Sequence, residues 1–176
     1  MQHRVWKTAY ALFDLKNAVI TIQDGTTPAN SITVKIGEGT VGWTEKKERR
    51  YILDRGLLDS VRNEDEVPLD VNLNFMWEYL EGGLDSGDDP SVMEALKQAG
   101  NASAWVSTDA DTCQPYAVDV IITYTPTPAS CGDIETITLP DFRYENGDFD
   151  IRNPEAVAIT GRCNVTEPVI VREGQS

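Results

Sequence analysis

Apolar and polar residues alternate with a period of two through much of this chain. In Leu69-Asp70-Val71-Asn72-Leu73-Asn74-Phe75 every second residue is apolar and every intervening one polar, the signature of a strand with one buried face. Ile32, Val34 and Ile36 alternate with Thr33 and Lys35, and Val41 and Trp43 continue the pattern beyond Gly37 and Gly39. Ala18, Ile20 and Ile22 share a face in a segment closed by Asp24-Gly25. Val118, Val120, Ile122 and Tyr124 share another, with Ile121 implying partial cover on the opposite side. Segments 134–140, 142–149 and 156–163 read as further strands, and Pro126 to Pro128, Asn146-Gly147 and Asn153-Pro154 are turn signals. Short strands at this spacing predict a mainly β fold, a sandwich or barrel.

One segment has a helical period instead. Asp89 as N-cap and Pro90 at the first helical position predict a helix over about 90–99, with Val92, Leu96 and Ala99 on one stripe and Gly100 closing it in the left-handed conformation. A second helical turn is expected around Met76–Glu81. Residues 44–66, TEKKERRYILDRGLLDSVRNEDE, follow neither period. They mix charges of both signs with apolar anchors, and Gly56 opposes a continuous helix. A connection this long between two strands is uncommon unless it has a function. It reads as a long inter-strand arm that docks on something, another copy of the chain included, with a β-hairpin folded on its own domain as the alternative.

The 176 residues suit a single domain, 1–176, with an N-terminal arm at 1–16 and a C-terminal tail at 164–176. No apolar run approaches membrane-spanning length, and MQHRVWKTAY lacks the apolar stretch of an export signal, so neither a membrane partner nor Sec export is expected. Fifteen bases against 29 acids leave a net charge of −14, which excludes gripping nucleic acid through a basic face. The surplus is local. Residues 70–155 carry seventeen acids and only Lys97, Arg143 and Arg152, whereas 44–66 carry six bases and seven acids. Either a solvated surface or a negatively lined wall past which a polyanion slides would account for it.

Catalytic and metal chemistry is poorly provided for. His3 is the single histidine, so a multi-histidine metal site cannot be built in one chain, and a Ser-His-Asp triad would depend on a terminal residue. There is no GxSxG, no phosphate-binding loop and no dinucleotide fingerprint. Asp85, Asp88 and Asp89 lack the spacing of an EF-hand loop. No catalytic residue, no metal and no cofactor is expected. Cys113, Cys131 and Cys163 have no CxxC spacing. If strands 133–140 and 156–163 pair antiparallel, Cys131 and Cys163 fall near the same end and form a candidate disulfide; three buried thiols are the alternative.

The order NAVITIQDGT, then ITVKIGEGTVGWTEKKERRYILDRGLLDSVRNEDEVPLDVNLNFMWEYLEG, then DVIITYTP, LPDFRYENGDFDI and AVAITGRC resembles the tail tube (major tail) proteins of long-tailed bacteriophages. The resemblance implies a β-sandwich or barrel with one flanking helix, here about 90–99. It also implies hexameric rings that stack into a tube, with a long loop, here 44–66, reaching the adjacent ring. Lys46, Lys47, Arg49, Arg50, Tyr51, Arg55, Leu57, Leu58 and Arg62 become the expected inter-ring contacts. Asp70, Asn72, Asn74 and Asp119 become candidates to face a lumen through which DNA passes without specific binding. The implied setting is a virion tail assembled in the bacterial cytoplasm, with tape-measure, tail terminator and distal tail proteins as partners. The inner tube of a contractile injection or type VI-like secretion machine is the near alternative. A monomeric carbohydrate-binding β-sandwich is the distant one, and Trp6, Trp43, Trp77 and Trp105 are too scattered to favour it.

Overall fold

The computed structural model describes residues 18–34, 40–75, 90–126, 132–149 and 157–173. Six strands come first: β1 (Ala18–Gln23), β2 (Ser31–Val34), β3 (Thr40–Thr44), β4 (Lys47–Asp54), β5 (Leu57–Glu66) and β6 (Leu69–Phe75). Helix α1 (Val92–Lys97) and a 3-10 turn (Gly100–Ala102) interrupt them, and β7 (Val118–Tyr124), β8 (Ile134–Phe149), β9 (Val157–Cys163) and β10 (Val169–Glu173) complete the chain.

Eight of these strands form one antiparallel sheet in the order β2-β1-β7-β8-β9-β6-β3, with β10 added on β8. The sheet stays open: β2 and β3 each have one strand partner among the described residues. Its alternation is the one expected of a half-buried sheet. Ile20 and Ile22, Leu69, Val71 and Leu73, Val118 and Val120, Leu139 and Phe142, and Ile159 all turn to one continuous core with Trp105 and α1. Each such side chain contributes about 1.5–3 kcal/mol by leaving water, so the register is strongly fixed wherever this face is covered.

The single strand β8 runs through what the sequence divides into two strands and a turn. Two irregularities bend it without ending it. Between the Val118–Phe142 and Val120–Leu139 pairs an extra residue is accommodated, with Asp141 at φ 52. A second shift follows Tyr144, so Asn146-Gly147 lies in paired strand, not in a turn. In the middle of β9, Gly161 pairs with both Val71 and Tyr144. A Cβ there would lie 2.1 Å from the Arg143 carbonyl oxygen and 2.6 Å from the Phe142 ring, so the close approach of β8 requires glycine.

Helix α1 is shorter than 90–99 and starts later. Ser91, not Asp89, is the N-cap: its hydroxyl accepts from the Glu94 N–H while the Glu94 carboxylate accepts from the Ser91 N–H. The left-handed cap is Gln98 (φ 52), ahead of Gly100, and its side-chain amide donates to the Trp105 carbonyl at 2.7 Å. Val92, Ala95 and Leu96 are the buried stripe. Lys97 lies 5.3 Å from the Tyr144 ring centre and 5.7 Å from that of Phe149, anchoring the helix over β8. The expected turn at Met76–Glu81, the acidic run 85–89 and the 1–16 arm lie outside the described residues.

A buried carboxylate ties the loops at one end of the sheet. Asp24, 2% exposed, accepts from the Thr26 hydroxyl and the Asn30 N–H at 2.7 Å each, from the Thr26 N–H, from the Asn30 side-chain amide and from the Val106 N–H. Burial alone would raise this carboxyl, but the bonds from Asn30 and Thr26, with the backbone of Asn30 and Val106, overcome it and hold it below its ordinary value. Gly25 packs against the same segment; a Cβ on it would meet the Ser107 carbonyl oxygen at 2.2 Å.

Candidate assembly surfaces

Residues 44–66 join β3 to β6, and most of them are strands β4 and β5 paired only with each other. The connection is therefore a β-hairpin, but not one folded on its own domain: every residue of β5 and all of β4 except Ile52 are exposed. Arg55 (φ 52) and Gly56 (φ 84) make the two-residue turn, both left-handed, as a tight hairpin of matching twist demands. At ten residues, β5 reaches about 30 Å.

The register sorts the side chains onto two faces. Tyr51 opposes Val61 and Leu53 opposes Leu58, so four large apolar residues form a strip along one face. They are 58%, 53%, 59% and 73% exposed respectively. Arg49 opposes Asn63 at the root end of the same strip. The other face sets Arg50 directly against Arg62, a like-charge pair that disfavours the isolated hairpin. Among the described residues, Arg49, Arg50, Arg55 and Arg62 have no carboxylate partner. Leu57, 75% exposed, sits at the tip opposite Asp54. Leu53, one of the apolar anchors the sequence shows in this arm, and Val61 belong to the strip although neither is among the expected inter-ring contacts; the i, i+2 spacing of Tyr51 and Leu53 is the available signal. Lys46 and Lys47 differ from the arginines. Lys46 pairs with Asp70 and Lys47 with Glu167, so both fasten the hairpin root to its own chain.

Asp70, Asn72 and Asn74 share the solvent face of β6, as their alternation with buried Leu69, Val71 and Leu73 requires. Lys46, and then Arg162 at 3.0 Å, hold the Asp70 carboxyl below its usual range and offset its charge. Asn74 donates to the Thr40 hydroxyl at 3.0 Å. Across the ladder, Thr160, Asn146 and Asp148 extend this polar face. Asp119 lies elsewhere, on β7 beside the β8 bulge. It accepts from the Asp141 N–H at 3.0 Å, and burial, with the neighbouring Asp141 charge, raises its pKa.

Cys163 is buried and pairs in register with Phe142, eight positions beyond the first residue of β8. Burial pushes its thiol up to about 12. Cys113 is exposed, and Cys131 lies outside the described residues, as does any bridge from it. Among the described residues no group of three or more His, Cys, Asp and Glu side chains is placed to hold a metal, and no helix is long and apolar enough to cross a membrane.

The expected C-terminal tail contains β10, whose Val169, Ile170 and Val171 are each 52% exposed. It pairs with the first residues of β8, setting Val169 beside Thr138 and Val171 beside Thr136.

No protein-family model matches the chain, and no curated protein is similar to it in sequence. Solved structures do match. A chain of the extracellular contractile injection system PVC, in its sheath–tube complex in the extended state, superposes with a TM-score of 0.51 at 9% identity, covering 93% of this chain and 94% of that one. A chain from the PVC sheath/tube terminator in the extended state gives 0.49 at 7%, covering 91% and 96%. The first likeness shows a common fold along nearly the whole length of both chains. The mainly β architecture, with its open antiparallel sheet and one α-helix among the described residues, is thus shared with that chain at the level of fold.

Proposed function

We propose that the chain is a structural tube subunit, whose copies join edge to edge into rings, hexameric by resemblance, that stack through the 44–66 hairpin. The observation that carries this reading is the hairpin itself: two strands of eight and ten residues, about 25 and 30 Å long, stand clear of their own sheet with five large apolar side chains in water. A monomer gains nothing from such an element. A neighbouring copy would bury it. The outer edges of β2 and β3, which have no further strand partner among the described residues, suit the same reading, since head-to-tail pairing around a closed ring satisfies backbone groups without runaway aggregation.

Two machines use such a subunit: a bacteriophage tail, where the tube would be part of the virion and conduct genomic DNA, and a contractile injection apparatus. The fold shared with a PVC sheath–tube chain favours the second at the level of architecture. Terminator, distal tail and tape-measure proteins are the partners the tail reading brings, and the assembly needs no cofactor and no catalytic group. For the lumen we assign the β6 face of Asp70, Asn72 and Asn74. Its chemistry is polar and partly neutralised, not densely acidic, because Lys46 and Arg162 offset Asp70. Such a wall still offers few uncompensated cations, so it releases few counterions from a passing polyanion and does not hold it. Asp119 lies on β7 beside Asp141 at the β8 bulge, away from this β6 face, so the wall we assign does not include it.

Deleting residues 46–64 and closing the gap with a short turn tests the hairpin's part. Folded rings that no longer stack are expected in negative-stain micrographs. Tubes as long as those of the parent chain would overturn the assignment.

A further inference from the structure

The outer face of the sheet, away from the core, carries a second uncharged surface. Following the register across β1, β7, β8 and β10, one row holds Val19, Thr123, Thr136 and Val171, and the next holds Thr21, Ile121, Thr138 and Val169. All eight are β-branched and none is charged, on a chain of net charge −14. Val19, Val169 and Val171 are 48%, 52% and 52% exposed. Carboxylates close the platform at both ends. Glu173 continues the outward side of β10 beside Ile134, and Asp119 continues that of β7 beside Asp141 at the β8 bulge. From Ile134 to Asp141 the platform covers seven steps of β8, roughly 23 Å.

The hairpin strip matches it in length and charge. Tyr51, Leu53, Leu58 and Val61 lie between Arg49 and Arg55, which are six steps and roughly 20 Å apart along the strand. Neither arginine has a carboxylate partner among the described residues. We propose that the hairpin strip of one copy lies face to face on the β1–β7–β8–β10 platform of the next, with Arg49 and Arg55 meeting the acids at its two ends. The occupant is a second copy because the two surfaces complement each other on one chain. Among the described residues, eight of the ten exposed large apolar side chains belong to the hairpin and β10, and outside 44–66 the chain has 22 acids against nine bases. A strip and a platform are different patches, so the contact is heterologous and propagates, which a two-fold dimer would not. This inference rests on the tube reading and names the seat of its stacking arm.

The heterologous contact makes a complementation experiment decisive. One variant spoils the strip (Tyr51→Ser with Leu58→Asp) and another the platform (Val169→Asp with Val171→Asp), all at exposed positions, with folding checked by circular dichroism and melting. Each variant alone is expected to lose the polymer in sedimentation velocity. Mixed in equal amounts, they should join intact strip to intact platform and stop at particles of twice the unstacked mass. A platform variant that polymerises like the parent overturns the inference, whether another protein or nothing covers that face, and leaves the tube reading standing. A mixture that never joins also overturns it. A parent chain that never polymerises defeats the tube reading instead. Should either variant fail to fold, a disulfide trap replaces it: Leu58→Cys with Val171→Cys in a Cys113→Ser background. A ladder of covalent multimers on a non-reducing gel supports the seat, and monomer alone contradicts it.

Discussion

Replacing Asp24 by Asn probes how the loop end of the sheet is held, and its cost can be worked from the bonds. The two carboxylate oxygens accept five hydrogen bonds: three at Oδ1 from Thr26 and Asn30, two at Oδ2 from the Asn30 amide and the Val106 N–H. Every incoming group is a donor. An asparagine keeps one oxygen, so the best placement retains three bonds and turns an NH2 group against the two remaining donors. At about 1–2 kcal/mol for each lost bond in this buried setting, Asp24→Asn should cost about 2–4 kcal/mol. For a chain of this size that is roughly 4–16 °C in Tm. The loss should also depend on pH. The folded carboxyl titrates below its ordinary value of 3.8, so its contribution is full above that value and disappears as pH falls through the folded pKa. Urea unfolding at pH 7 and at successively lower pH is the assay. Parent and variant should converge in acid. A variant within 0.5 kcal/mol of the parent at pH 7 would refute the reasoning.

Further outcomes follow from the same packing. Gly161→Ala should lower stability by about 1–3 kcal/mol, because the methyl group meets the Arg143 carbonyl oxygen and the Phe142 ring; unchanged urea midpoints would show that β8 and β9 can separate freely. Asp119→Asn should act with the opposite sign to Asp24→Asn. Burial and Asp141 raise the Asp119 pKa, so the carboxylate penalises folding at neutral pH and the penalty fades as pH falls through the folded value. The variant should therefore melt higher than the parent at pH 7 and equally in acid, and a lower Tm at pH 7 would contradict this. Asp70→Lys should leave tubes intact while making them retain duplex DNA in a salt-dependent manner, and tubes that still release DNA freely at low salt would reject the lumen assignment.

The strands that bury a face were legible, and those that do not were not. β1, β2, β6 and β7 show their alternation because one side of each meets the core. β4 and β5 have no core of their own, and although one face carries an apolar strip, the register shifts at Lys47/Arg49 and Ile52/Leu53 break its alternation along the chain; Arg55-Gly56 betrays the turn, through its need for left-handed backbone. β10 went unseen for a related reason: three consecutive apolar residues at an edge carry no alternation. The helix start moved because Ser91 and Glu94 form a reciprocal cap three residues apart, which outweighs Asp89-Pro90. Turn chemistry misled at Asn146-Gly147, where strand pairing on β9 overrides the local preference. The expected inter-ring residues form one group in the sequence, yet the structure divides the charged ones into two lysines fixed to their own chain and four arginines without a carboxylate partner among the described residues, beside exposed Tyr51, Leu57 and Leu58.

The central claim is that identical copies of this chain supply the partners its hairpin and sheet edges lack among the described residues. Negative-stain microscopy of the purified chain across a concentration series tests it most directly. Rings that stack into hollow tubes, lengthening with concentration, are the predicted result. A homogeneous monomer at the highest concentration, with the hairpin intact, would contradict it.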